Sequence, residues 1–171
     1  MEQYKLEKPF FSVVIPTYNH EAFLEKAVKS VLNQTFSDYE IIIIDNYSDD
    51  NTENLIKNLN NKNIKFIKNR NHGILAKSRN IGIEQSKSEW IAFLDSDDIW
   101  WQDRLKVLSD FIKKYNNYDV ICTNELWINK MNNKKKFSKY GPYKNNFYKF
   151  LIKYGNCLSM SASVVKKKYL V

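Results

Sequence analysis

Apolar positions fall into two alternating rhythms along the first 125 residues. Phe10-Phe11-Ser12-Val13-Val14-Ile15 is a short aromatic and β-branched run that stops at Pro16, the pattern of a strand buried on both faces. From His20 onward, Phe23, Leu24, Ala27, Val28, Val31 and Leu32 recur at helical spacing and predict one inward-facing stripe. Glu40 to Asp45 predicts a second buried strand, four isoleucines closed by an acid. Asp50 and Glu53 then stand at capping-box spacing ahead of Leu55, Ile56 and Leu59. A third strand is predicted over Ile64-Lys65-Phe66-Ile67, a helix from Gly73 to about Ser86, and a fourth strand over Trp90-Ile91-Ala92-Phe93-Leu94. A helix from about Trp101 to Tyr115, with Leu105, Leu108 and Ile112 inward, leads to a fifth strand over Asp119 to Thr123.

Strands alternating with helices predict parallel pairing and an α/β layered fold. Right-handed crossovers then bring the carboxyl ends of all parallel strands to one edge, where such sheets bind ligands. Three predicted strand ends carry polar or acidic groups: Pro16-Thr17-Tyr18-Asn19, Asp45-Asn46, and Asp95-Ser96-Asp97-Asp98. Beyond Asn124 the pattern is weaker. Leu126 to Asn129 and Phe137, around a Lys/Asn-rich turn, predict a hairpin. Asn145 to Tyr154 predicts a helix with Phe147, Phe150, Leu151 and Tyr154 on one face, and Leu158 to Val165 a last strand.

The net charge of +8 leaves nucleic acid, an anionic membrane face and a phosphorylated small substrate as partner classes. Two runs, Lys134-Lys135-Lys136 and Lys166-Lys167-Lys168, read first as solvated faces; neither sits in a nucleic-acid module, so no nucleic-acid partner is expected. Cys122, Cys157, His20 and His72 have no partners at metal-ligand spacing, which argues against structural zinc. The amino terminus has no signal-peptide pattern, and wholly apolar runs such as Ile41 to Ile44 are far too short for a membrane span. A soluble, cytoplasmic protein is expected, with peripheral contact at the inner face of the membrane left open.

Asp95, Asp97 and Asp98 stand together on a basic chain. Adjacent carboxylates repel unless a cation lies between them, and hard divalent ions such as Mg²⁺ or Mn²⁺ take one or two carboxylates plus substrate phosphates. The competing reading is that Ser96, Asp97 or Asp98 caps the next helix. Asp45 can equally be a strand terminator, and Thr17 to Asn19 an ordinary turn. Neither phosphate-binding glycine pattern, G-x-x-x-x-G-K-[ST] or G-x-G-x-x-G, is present.

Ser12 to Asn19, Ser30 to Thr35, Ile43 to Asp50, Arg79-Asn80-Ile81-Gly82-Ile83 and Glu89 to Asp98, taken in that order, strongly resemble the N-terminal half of inverting family-2 glycosyltransferases. The resemblance runs from about Phe11 to Leu105 and implies a GT-A, Rossmann-like α/β/α fold with a mostly parallel central sheet. It also implies a single domain over residues 1–171, with a nucleotide-sugar-binding half over about 10–124 and the start of an acceptor-side half over 125–171. By resemblance, Pro16, Thr17, Tyr18 and Asn19 line the nucleoside pocket, Asp45 and Asn46 hold the nucleotide, and Arg79 contacts the diphosphate. Asp95-Ser96-Asp97 matches the DXD motif, with Asp97 on the Mn²⁺ or Mg²⁺ and Asp95 on the ribose or the metal shell.

The implied reaction passes a sugar from a nucleoside diphosphate, uridine being the expected base, to a glycan or lipid-linked acceptor in polysaccharide or lipooligosaccharide synthesis. Two departures from the family pattern stand out. Asn46 takes the place of a second acid, and Val171 comes before the acidic residue that serves the family as base. The fold is therefore expected to be C-terminally incomplete and the chain a donor-binding fragment, with Glu125 poorly placed to act as base. A non-catalytic nucleotide- or glycan-binding module is the alternative. A nucleotidyltransferase is disfavoured because no Gly-rich, Lys/Arg-bearing signature follows Ile15. Trp100 and Trp101 are read either as packing or as a sugar platform.

Overall fold

The computed structural model describes residues 8–129, 131–141, 146–155 and 158–171. Strands β1 (Phe11–Thr17), β2 (Tyr39–Asp45), β3 (Ile64–Lys68), β4 (Trp90–Phe93), β5 (Val120–Cys122) and β8 (Ser163–Lys166) form one sheet in the order β3-β2-β1-β4-β8-β5. The first four pair in parallel. β6 (Glu125–Ile128) and β7 (Lys135–Ser138) form the expected hairpin as a separate two-stranded sheet.

β1 lies between β2 and β4, and every one of its residues is buried. Its alternation builds two cores. Phe11, Val13 and Ile15 meet helices α1 (Glu21–Leu32), α2 (Thr52–Leu59) and α4 (Arg104–Lys114) on one face. Val14 meets Ile83 of α3 (Leu75–Gln85) on the other, with Ile91 and Phe93. The four isoleucines of β2 are wholly enclosed, each worth on the order of 2 kcal/mol in burial. This is the α/β/α layering expected from the sequence.

β1 runs two residues further than its apolar run, through Pro16 to Thr17. Pro16 is tolerated because the β1–β4 ladder ends at Val14 with Phe93, so no donor is asked of it on that side. The last strand is a second departure. Alternation predicts parallel pairing, but β8 runs antiparallel and wedges between β4 and β5. It follows the β6–β7 hairpin and α5 (Phe147–Tyr154), so it enters the sheet from the opposite end. The Lys166 ammonium on the Asp119 carboxylate, 3.0 Å away, ties its end to the chain entering β5. Asn145, the expected start of α5, lies outside the described residues. The expected inner face of α5 is not buried; Phe147, Phe150 and Tyr154 stack on one another instead.

The Asp50–Glu53 capping box does not form. Asp50 Oδ2 accepts from the Glu21 amide at 2.9 Å and Oδ1 from the Thr52 amide at 3.1 Å, so one carboxylate caps the first turns of both α1 and α2. Glu53 pairs with Lys57 and Lys68 instead. Partial burial pushes the Asp50 carboxyl up, but contacts from Thr52 and the Glu21 amide outweigh it and hold the group below its ordinary range.

Helix α3 approaches β1 closely through Gly82, where an added Cβ would lie 2.3 Å from Val14 Cγ1. Gly82→Ala gains helix propensity of about 1 kcal/mol but forces a shift in a fully buried valine. It is expected to lower stability by about 1–3 kcal/mol net, read from the denaturant midpoint; a stabilised variant would refute the close contact. Asp50→Ala is expected to cost about 0.5–2 kcal/mol at neutral pH. A depressed carboxyl stabilises the fold above its unfolded pKa and stops doing so as pH falls through its folded one. The gap between wild type and variant is therefore constant above about pH 4 and shrinks below it in acid-unfolding curves.

Candidate functional site

The ends of β1, β2 and β4 open onto the same sheet edge, and the chain beyond them is stitched together by side chains. Thr17 and Asp45 are register partners, and the Asn46 amide donates to the Thr17 carbonyl at 3.0 Å. The Asp45 carboxylate is completely buried. It accepts from the Ser48 amide, with both oxygens at 3.2 Å, and from the Ser48 hydroxyl at 2.5 Å. Ser48 Oγ in turn accepts from the Asn19 amide at 2.9 Å, and Asn19 Oδ1 accepts from the Asp49 amide at 2.8 Å. Asn19 and Tyr47 sit at φ 49° and 57°, the left-handed region, which these contacts hold in place. Tyr18 and Tyr47 are left half-exposed on the rim, with the Arg70 guanidinium 5.0 Å from the Tyr47 ring centre.

Asn46 Oδ1 accepts from the Asn71 amide at 2.7 Å, and Asn71 Nδ2 donates to Ser78 on α3 at 2.9 Å. This links the β2 end to the helix that carries Arg79. Arg79 Nη2 donates to Asp95 Oδ1 at 2.6 Å, while its Nε is buried with no hydrogen-bond partner among the described residues. Thr17 Oγ1 is buried and unpartnered in the same way. Two orphaned donors at one rim carry a cost of about 1–3 kcal/mol each that a ligand's acceptors would relieve.

Asp95 to Asp98 form a turn, closed by the Asp98 amide on the Asp95 carbonyl at 3.1 Å. Helix α4 starts only at Arg104, so none of Ser96, Asp97 or Asp98 caps it, and the capping reading of this cluster falls. Ser161 Oγ accepts from the Asp95 amide at 2.9 Å, and Ser96 Oγ lies 2.7 Å from His20 Nδ1. Asp97 and Asp98 are exposed at the rim. Packing around the Asp98 carboxyl, then the charges of Asp97, Asp95 and Glu125, hold it above the ordinary carboxylate range against a hydrogen bond from Ser161. Glu125 therefore lies in the field of the acidic turn, and its two oxygens accept the hydroxyls of Tyr140 and Ser159. Among the described residues no three His, Cys, Asp or Glu side chains converge as a metal cage.

The two tryptophans part company. Trp100 is buried core, its Nε1 donating to the Ser161 carbonyl at 2.9 Å, whereas Trp101 is exposed. Sequence reasoning missed Ser48, Asn71, Ser161 and His20, which hold the site residues in place. They are short polar residues in turns, where an ordinary turn gives the same signal; only the bracketing acids of Ser48 pointed to it.

The sequence matches the family model for glycosyl transferase family 2 over residues 12–166. The chain belongs to that family. It is 36% identical, over 141 residues, to the GalNAc(5)-diNAcBac-PP-undecaprenol β-1,3-glucosyltransferase of Campylobacter jejuni, covering 81% of this chain and 45% of that one. It is 43% identical, over 115 residues, to the poly(ribitol-phosphate) β-N-acetylglucosaminyltransferase TarP of Staphylococcus aureus, covering 64% and 35%. The structure of S. aureus TarS in complex with UDP superposes with a TM-score of 0.63 at 32% identity, over 66% of this chain and 34% of that one. The chain thus spans about half or less of the length of these relatives. Its mixed α/β fold, with a mostly parallel central sheet, is that of these structural relatives. No helix among the described residues is long and apolar enough to cross a membrane.

Removing the Ser161 hydroxyl leaves the Asp95 amide without its acceptor. Ser161→Ala is expected to destabilise by about 1–3 kcal/mol in thermal or denaturant unfolding. An unchanged midpoint would show that this hydroxyl does not hold the acidic turn.

Proposed function

We propose that the carboxyl edge of the sheet binds a nucleoside-diphosphate sugar, UDP-linked, and that residues 10–124 form the donor half of an inverting, metal-dependent transfer. Residues 125–171 begin the acceptor side. The observation that carries this reading is the convergence of three strand ends, with the orphaned Thr17 Oγ1 at the end of β1 and the orphaned Nε of Arg79, the guanidinium that holds Asp95. The UDP bound by TarS, to which this chain is 32% identical, supports the uridine assignment.

In this reading Pro16, Thr17, Tyr18 and Asn19 wall the nucleoside, with the half-exposed Tyr18 ring against the base. Asp45 is enclosed and satisfied by Ser48, so it acts by fixing the pocket's shape, while Asn46 keeps its amide donors and a second lone pair for the nucleotide. Arg79 stabilises charge on the diphosphate and orients Asp95 toward the ribose. Ser96, steadied by His20, sets the turn that presents Asp97. Asp97 and the free oxygen of Asp95 are hard oxygen donors suited to Mn²⁺ or Mg²⁺, which use one or two carboxylates and substrate phosphates rather than a protein cage. Such an ion supplies charge neutralisation for the leaving diphosphate. The acceptor is a hydroxyl on a glycan or lipid-linked saccharide, the class named for the Campylobacter relative. Peripheral association with the inner membrane face of a cytoplasmic enzyme fits that class.

Titration calorimetry with UDP, GDP, dTDP and CDP, each with Mn²⁺ and with EDTA, tests this. UDP is expected to bind selectively and only with metal. Asp97→Asn is expected to weaken binding by about tenfold or more, equivalent to about 1.4 kcal/mol, without moving the melting temperature, because Asp97 is exposed. Equal binding in EDTA, or no nucleotide bound at all, would sink the donor-site assignment and bring a non-catalytic module forward.

A further inference from the structure

The opposite end of the sheet carries a feature that the donor site does not use. A cleft of about 1080 Å³ opens at the amino ends of the parallel strands. Six lysines line it, drawn from four separate segments: Lys8 before β1, Lys62 and Lys65 at β3, Lys87 before β4, and Lys167 and Lys168 after β8. Two of these belong to the run that sequence alone reads as a solvated face. The fold instead gathers that run with four distant lysines.

The cleft is not neutralised from within. None of the six lysines forms an ion pair among the described residues. Lys65 donates to the Gln85 side chain at 2.6 Å and Lys167 to the Ser86 carbonyl at 2.8 Å, which fixes both heads without cancelling their charge. The two acids of the lining are Glu40 and Glu89. Glu40 Oε1 is already occupied, by the Ser12 hydroxyl at 2.6 Å and the Lys87 amide at 2.7 Å. Like charges gathered around a concave surface with low-dielectric walls focus a positive potential outward and draw in anions.

We infer that this cleft is a binding site for a flexible, phosphate-bearing polymer without nucleobases, separate from the donor edge; the one aromatic of the lining, Tyr39, is buried and offers bases no stacking face. Three observations select that ligand. Lysines offer mobile point charges that suit phosphates spaced along a chain, rather than the fixed fork arginine gives one phosphate or carboxylate. Lys8, Lys62, Lys87 and Lys168 are exposed around the cleft, so several anions can be met at once. The surface is concave, and a bilayer, planar on this scale, would reach only its rim. β1 spans seven residues, or roughly 20 Å, so a polymer held here is tethered well away from the transferring sugar. The inference stands on the cleft alone and goes beyond the proposed donor chemistry.

The test uses labelled short-chain inorganic polyphosphate, with fluorescence anisotropy read across a salt series. If all six lysines engage, the log–log slope of affinity against salt is about −4, taking about 0.7 per phosphate for a flexible strand. The triple variant Lys62→Glu/Lys87→Glu/Lys168→Glu is expected to lose about a hundredfold in affinity. A control of equal charge change, Lys26→Glu/Lys136→Glu/Lys149→Glu on other faces, is expected to lose far less. Equal losses in both variants would reduce the effect to net charge and overturn the site. Tighter binding of phosphatidylglycerol vesicles, or of an RNA homopolymer, through the same three lysines would overturn the assignment in favour of those partners. Metal-dependent UDP binding, measured alongside, is expected to be unchanged in the cleft variant, so failure here and failure of the donor site give different results.

Discussion

A buried carboxylate, answered by hydroxyl and amide donors, organises the carboxyl edge of the sheet. Asp45 ends β2 inside the protein, where an unsatisfied charge is intolerable, and Ser48 answers it with both its amide and its hydroxyl. Because that hydroxyl donates to Asp45, its oxygen is turned to accept from Asn19, and Asn19 then accepts from Asp49. The loop after β1 and the loop after β2 are thereby one unit. Asp50 extends it by capping two helices. An exposed Asp45 would leave each of these turns free to choose another conformation, and the left-handed backbone at Asn19 and Tyr47 would have nothing to hold it.

The parts of the fold that were legible in the sequence are those fixed by burial period. Four enclosed isoleucines and an alternating β1 cannot be placed anywhere but mid-sheet, and an apolar stripe from Leu24 to Val31 can only face it. The carboxyl-edge rule likewise puts Thr17 and Asp45 side by side at one edge, as their register pairing has them. What stayed hidden depends on contacts distant in sequence. Asp50 and Glu53 have the spacing of a local box, yet Glu21, 29 residues away, supplies a competing amide and Lys68 a competing cation. Spacing along one segment cannot weigh partners from another. The antiparallel entry of β8 was illegible for the same reason, since a strand of four residues has the same pattern in either direction.

That short strand matters more than its length indicates. By inserting beside β4, it brings Ser161 beneath the Asp95 amide and its carbonyl onto the Trp100 indole. The turn bearing Asp95, Ser96 and Asp97 is therefore held from three sides: by Arg79 on α3, by His20 ahead of α1, and by Ser161 ahead of β8. Each support comes from a different layer or segment of the fold. Adjacent carboxylates repel, and distributed support resists the repulsion that would otherwise open the turn.

The charge layout completes the same logic. Parallel strands give the sheet two unlike ends, and this chain places its adjacent acids at one and its unneutralised lysines at the other. At the acidic end, Arg79 pairs with Asp95, and Lys68 and Arg70 stand over the Tyr47 ring, so the local field there has both signs and suits a charged ligand of defined shape. At the lysine end six lysines outnumber the two acids of the lining, so the field is net positive, with no shape beyond a cleft. On the proposed readings the two ends select different chemistry: a particular nucleotide at one, several negative charges in a row at the other.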